Sequence, residues 1–368
     1  MNQIQIPFGM RDIILEDCTK KRALRNRIEK VFDRYGYQEI ITPSIEFYQT
    51  YQNAFGTINE QDMYKFFDQD GQILSLRMDM TVPIARVCAS KFNKVEPPYR
   101  FRYCSNVYKV RQMFGGHMSE VSDCGVELIG LDCFHDIEVI LCALDTMETL
   151  GVSDYTLEIG NSDYFKIACR DIGLSEAQQV DLAQLIDNKS LVDLKGYLDQ
   201  LGLNDKQKSF FQSLPILGGD VSILDQALEV SFNEDLRKVV LDLKDLYQKC
   251  EALGVGEHIQ FDLGKVPHLD YYTGIIFEGF VKDVGHSVLS GGRYDKLLKK
   301  FGRDLPACGF SVKLDYLLDV VKAPKKEVVT IYYPEAKQME ALKLAQTLRK
   351  EKNVVMKVWT KEDVEVVA

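Results

Sequence analysis

Residues 107–130 read "VYKVRQMFGGHMSEVSDCGVELIG", two strand-like runs joined by a loop that contains two glycines. Upstream, "EDCTKKRALRNRIEKVFDRYGYQEI" predicts an amphipathic helix, because Leu24, Ile28, Val31, Phe32 and Tyr35 follow an i, i+4, i+7, i+8 pattern. Gly36 stops that helix, and "YQEIITPSIEF" follows as a strand interrupted by Pro43. "YKFFDQDGQILSLRMD" predicts a hairpin that turns at Asp70-Gly71, and "VPIARVCASKF" predicts a helix. Downstream, "DCFHDIEVILCALDTMETLG" is a helix stopped by Gly151, and "YTLEIG" is a short strand. Leucine-rich helical segments then fill residues 163–253 and are expected to form an inserted subdomain. Strands return at "HIQFDLG", "YYTGIIFEGFV" and "HSVLSGGRY", and "DYLLDVVK" predicts a closing helix. Residues 323–327, "APKKE", read as a linker. "VVTIYY", "AKQMEALKLAQTLRKEK" and "VVMKVWT" then spell a β-α-β pattern. Domains are therefore expected at 1–322 and 328–368.

Composition bounds the rest. The chain has 368 residues, 46% of them hydrophobic and 27% charged, an ordinary globular balance. No apolar run approaches the roughly 18 residues that a spanning helix needs. The N-terminus lacks the basic-then-apolar pattern of an export signal, so a cytoplasmic location is expected. Nine cysteines without a C-x-x-C pair argue against a zinc ribbon or a disulfide framework and suit a reducing compartment. The formal charge of −10 weighs mildly against nucleic-acid binding. No metal-ligand spacing, cofactor motif or Ser-His-Asp or Cys-His arrangement is present in the sequence.

The antiparallel strands, the loop between them and the inserted helices together resemble a class II aminoacyl-tRNA synthetase core, and more narrowly the histidyl group, over about residues 5–320. "GYQEIITPSIE" is similar to the dimer-forming first motif, while "LDYYTGIIFE" and "SGGRYDKL" resemble segments of the histidyl enzymes and their relatives. Within that group, "LRMDMTVPIARVCASKF" resembles the ATP phosphoribosyltransferase regulatory subunits, a non-catalytic branch, through Asp79, Met80, Thr81 and Pro83 to Arg86. The resemblance implies an α+β fold: an antiparallel sheet flanked by helices, with a helical insertion and a short C-terminal anticodon-binding-like segment.

Adenylate formation needs fixed cations around a developing oxyanion, and arginine suits the task because its planar fork grips phosphate bidentately. At the positions that carry such groups in the synthetases, this chain reads Lys109, Arg111 in place of a glutamate, Ser119 and Tyr316, and the histidine-specific arginine–glycine pair reads Pro267-His268. Losing one oxyanion donor typically costs on the order of 100- to 1,000-fold in rate. Aminoacylation is therefore not expected, and no catalytic residue is assigned. The amino-acid end is better kept. Asp79, Thr81, Glu127 and Tyr272 sit where the synthetases contact histidine, whereas Asp123 replaces a ligand-facing glutamine. An effector pocket drawn from Asp79, Thr81, Lys109, Asp123, Glu127, His268, Tyr271 and Tyr272 is expected, with L-histidine as its ligand. The resemblance also implies a homodimer through Tyr35, Tyr37, Ile41, Pro43 and Glu46, within a hetero-oligomer with the catalytic short-form ATP phosphoribosyltransferase.

Plainer readings stand beside these. Lys109 and Arg111 also read as solvent-facing strand residues, and Asp79 and Glu127 as ion-pair partners of Arg77 or Arg102. Tyr271 and Tyr272 alternate across a strand, so one of them faces away from the pocket. His117 reads as a solvent-facing loop residue and His268 as a packing residue. "GGRYD" reads as a tight turn, and the clusters "KKRALRNR" and "KLLKKFGR" as solvated faces. A divergent histidyl-tRNA synthetase and a stand-alone amino-acid- or RNA-binding paralogue are the alternative functions.

Overall fold

The computed structural model describes residues 5–55, 60–111, 118–152, 154–266, 272–324 and 327–367. His117, Pro267, His268 and Tyr271 lie outside them. The chain divides into two compact units, Met1–Val321 and Lys322–Ala368.

The first unit starts with helix α1 (Leu15–Arg34), which buries Leu24, Ile28, Val31 and Phe32 on one stripe. Gly36 adopts φ +76° just past its end, a conformation that glycine takes without a Cβ clash. The run after it is two strands in two different sheets, rather than one interrupted strand: β1 (Gln38–Glu39) and β2 (Ile45–Phe47). The break has two causes. Pro43 offers no N–H to a ladder, and Arg77 binds the carbonyls that flank it, Nη1 to Thr42 O at 2.8 Å and backbone N to Ser44 O at 2.9 Å.

Helix α2 (Tyr48–Phe55) leads to β3 (Lys65–Phe67) and β4 (Ile73–Leu76), and strands β2, β4 and β3 form a small antiparallel sheet. The turn between β3 and β4 contains Gly71 at φ +78°, and Asp68 braces it, its Oδ1 accepting from Asp70 N and Gln72 N. Next come α3 (Thr81–Ser90), β5 (Tyr99–Tyr108), β6 (Glu120–Ile129), α4 (Asp136–Thr149) and β7 (Tyr155–Asn161). The helical insertion is α5 (Ser162–Asp171), α6 (Glu176–Asp187), α7 (Leu191–Gln200), α8 (Asp205–Ser213), the two-residue strand β8 (Gly218–Gly219), α9 (Ile223–Val230) and α10 (Glu234–Ala252). The unit continues through β9 (Ile259–Asp262), β10 (Ile275–Val281), β11 (Leu289–Arg293), α11 (Leu297–Lys300) and β12 (Ala307–Lys313).

The large sheet runs β1-β5-β6-β12-β11-β10-β7-β9-β8, antiparallel except where β1 joins β5 and β7 joins β9. The two strands of the 107–130 stretch are β5 and β6, paired over ten residues.

Four expectations change. The run from Asp315 makes only a 3-10 turn, Leu314–Leu317, in which Asp315 is held by Ser122 N at 2.6 Å and Lys21 Nζ at 2.7 Å. "GGRYD" is no turn: Gly291 and Gly292 lie inside β11, with Arg293 buried against Asp136. Tyr272 precedes β10 instead of alternating within it. Finally, Cys104 and Cys124 form a disulfide where none was expected, the β5–β6 register setting them directly opposite each other.

The second unit pairs β13 (Val328–Tyr333) in parallel with β14 (Asn353–Val358) through helix α12 (Gln338–Leu348). A further strand, β15 (Glu365–Val367), pairs antiparallel on the other side of β13. Ile331, Tyr333, Ala341 and Ala345 form its small core.

Candidate functional site

The start of α3 and the central strands of the large sheet enclose a cavity of about 200 Å³. Of the eight pocket residues expected, Asp79, Thr81, Lys109, Asp123, Glu127 and Tyr272 all line it. His268 and Tyr271 lie outside the described residues.

Glycines make the space. A Cβ at Gly309 would stand 2.0 Å from Glu127 Oε2, and one at Gly292 would stand 2.9 Å from the Tyr272 ring. Glu127 is 2% exposed. Its Oε1 accepts from Thr81 Oγ1 at 2.8 Å, and its Oε2 accepts from the Tyr294 hydroxyl. Asp79 Oδ1 accepts from Val82 N at 3.0 Å at the first turn of α3. Asp123 sits on β6, and its Oδ1 is buried with no hydrogen-bond partner among the described residues.

Burial dominates the electrostatics, because a low-dielectric wall disfavours every charged form. It pushes Glu127 up to about 8 against the opposing bonds from Tyr294 and Thr81. It pushes Asp79 and Asp123 up to about 6 each; the Val82 N–H and Lys109 oppose the first shift, and Lys313 and Lys109 oppose the second. The Lys109 ammonium is pushed down by the same burial, with Asp79 holding it up in part. The reading of Lys109 as a solvent-facing residue therefore fails, while Arg111 is exposed at the rim.

Nor do Arg77 and Arg102 pair with the pocket carboxylates. Arg77 serves the carbonyls of Asn106 and Thr42, and Arg102 lies 3.4 Å from Glu29 and 3.0 Å from Asp33. Sequence reasoning missed Tyr294, Ser311 and Lys313. Tyr294 was within reach, standing inside the quoted "SGGRYDKL"; Lys313 follows a Gly-Phe-Ser-Val run with no charge pattern to mark it.

The positions expected to face a nucleotide carry other side chains. Ser119 is fixed by its backbone, its N donating to Gly9 O at 2.7 Å and its O accepting from Lys109 N at 2.8 Å. The Tyr316 ring packs edge-on against His286 with centroids 4.1 Å apart. The two basic clusters are largely tied down: Lys21 binds Asp315, Lys300 binds Ala54 O, and Arg303 binds Phe92 O.

Among the five residues expected at a dimer interface, Tyr37 is buried under the Arg100 guanidinium, and Tyr35 donates to Asp145 at 2.9 Å. Glu46 is 5% exposed and bound at both oxygens by Arg86, 2.9 and 2.7 Å. Ile41 is 80% exposed, and Pro43 is exposed beside it. The small sheet is inverted: Glu46 and Ser75 point inward, while Ile45 and Phe47 face out.

The family model described as histidyl-tRNA synthetase matches residues 9–317. An ATP phosphoribosyltransferase regulatory subunit of Clostridium botulinum strain 657 is 34% identical over 98% of this chain and 88% of its own length. The crystal structure of an ATP phosphoribosyltransferase regulatory subunit/histidyl-tRNA synthetase from Bacillus halodurans superposes with a TM-score of 0.87 at 32% identity, covering 97% of this chain and 93% of that one. A histidyl-tRNA synthetase from Nostoc sp. PCC 7120, 23% identical, shares the fold with a TM-score of 0.80 over 98% of this chain and 88% of its own. With its synthetase-type sheet and a relative this similar along nearly its whole length, the chain belongs to the family of ATP phosphoribosyltransferase regulatory subunits.

Proposed function

We propose that this chain is a non-catalytic subunit that activates a short-form ATP phosphoribosyltransferase and carries part of its feedback inhibition by L-histidine. The partner condenses ATP with phosphoribosyl pyrophosphate in the first step of histidine biosynthesis; this chain performs no aminoacylation. One observation carries the reading. Asp79, Thr81, Glu127 and Tyr272 line one cavity of about 200 Å³, while the positions expected to clamp a triphosphate read Lys109, Arg111, Ser119 and Tyr316. A pocket of this kind serves as an effector site when its ligand binds two quaternary states unequally, since a ligand of equal affinity shifts nothing.

The assembly proposed is a homodimer inside a cytoplasmic hetero-oligomer with the catalytic chain. The outward apolar face of the small sheet supports the dimer, since exposed contiguous apolar surface marks interaction sites. Among the described residues, no helix is long and apolar enough to cross a membrane. The second unit is proposed to be part of an anticodon-binding-like domain.

The test mixes the purified chain with a short-form catalytic subunit and follows phosphoribosyl-ATP formation with and without L-histidine. Co-elution, a gain in rate and inhibition by histidine are expected. A robust histidine-dependent ATP–pyrophosphate exchange by the chain alone would restore the synthetase reading, and neither co-elution nor activation would favour a stand-alone binding protein.

A further inference from the structure

Strands β6 and β12 set Asp123 and Lys313 directly opposite each other, and both line the cavity. Asp123 Oδ1 is a buried acceptor with no hydrogen-bond partner among the described residues. Such an oxygen is expensive to leave unmet, and a bound ammonium group would meet it. Lys109, Arg111 and Lys313 surround the same end of the cavity, and no ion pair within 4 Å engages any of them among the described residues. At the far end Thr81 and Tyr294 hold Glu127, and no cation among the described residues is a leading influence on it. The cavity is therefore polar in a directed sense: an acceptor beside cations that hold no close ion pair among the described residues at one end, and a hydrogen-bonded carboxyl at the other.

We propose that Lys313 recognises a ligand carboxylate, so that Asp123 and Lys313 together grip the zwitterionic head of an α-amino acid, with Lys109 and Arg111 in support. This rests on the effector-pocket reading above and adds which residues read which part of the ligand. A carboxylate and an ammonium bound together leave the net charge of the site unchanged: Lys313 and Lys109 already favour the ionised form of Asp123, and the ammonium would meet its unpartnered oxygen. A lysine serves as a point charge here, where bidentate geometry is not required.

The experiment is calorimetric titration of the full chain, alone and with its catalytic partner. Three probes are used: L-histidine, histamine, which lacks the carboxylate, and imidazolepropionate, which lacks the ammonium. Lys313→Met is expected to weaken histidine and imidazolepropionate about 10- to 100-fold, as for a lost charge-assisted hydrogen bond, while leaving histamine unchanged. Lys313→Arg is expected to recover most of the loss, which a merely misfolded variant would not. Histidine binding that survives Lys313→Met intact, or a histamine loss as large as the histidine loss, overturns this assignment and leaves the effector pocket standing. No histidine binding to the wild-type chain in either state overturns both.

Discussion

At the residue scale, Glu127 is the group that ties the pocket to the stability of the fold. An unburied glutamate releases its proton near 4.5, whereas burial holds the Glu127 proton up to about 8. Between those values the folded chain binds more protons than the unfolded one, so stability falls as pH rises through the window. The contribution is complete below 4.5 and gone above about 8. Asp79 and Asp123 act in the same direction, but only up to about 6. Thermal unfolding followed against pH is therefore expected to show a midpoint that keeps falling to about 8, and Glu127→Gln is expected to stop the fall near 6. An unchanged slope between 6 and 8 in that variant would contradict the assignment of the proton to Glu127. The sequence made Glu127, Asp79 and Thr81 legible as pocket members, because the motifs around them are local. Lys313 was not legible. The role proposed for it comes from standing opposite Asp123 across two strands almost 200 residues apart in sequence, a pairing that neighbouring residues do not encode.

At the element scale, periodic patterns translated well and sheet membership did not. Helix α1 follows from four apolar positions on one stripe, and a helix needs no distant partner to satisfy its backbone. Strands do need one. The Gln38–Phe47 run divides between two sheets because Arg77 and Pro43 cut it, and Arg77 arrives from 30 residues downstream. Strand β12 lacks an alternating pattern because it is central and covered on both faces, so its Gly-Phe-Ser-Val run gave no signal of its own. The small sheet shows why pattern alone misleads: it buries Glu46 and exposes Ile45 and Phe47. What permits this is the bidentate Arg86–Glu46 pair, which satisfies the carboxylate where water cannot reach. Arg86→Met would strand that carboxylate. A loss of about 2 kcal/mol is expected, below the roughly 3–5 kcal/mol of a fully buried pair because the Arg86 side chain is 31% exposed. Urea unfolding should show a lower midpoint with the same slope, and adding Glu46→Gln should recover part of the loss.

At the scale of the whole molecule, the inverted sheet fits the proposal of a chain that acts through partners. A sheet that turns a salt bridge inward and apolar side chains outward leaves an apolar face uncovered, and apolar surface gains most when a second protein removes it from water. Ile41, Ile45 and Phe47 lie on one short segment, so a twofold axis close to it would bring each copy against its mate. Tyr37 and Glu46, buried within their own chain, would then act as the rigid backing of that surface. Phe47→Glu places a charge in the middle of such an interface without touching the Arg86–Glu46 pair behind it. Light scattering after size exclusion is expected to find the wild-type chain as a dimer and the variant as a monomer, with circular dichroism unchanged. A variant that stays dimeric would move the interface elsewhere. A variant that becomes monomeric yet still activates the catalytic chain would separate dimer formation from regulation.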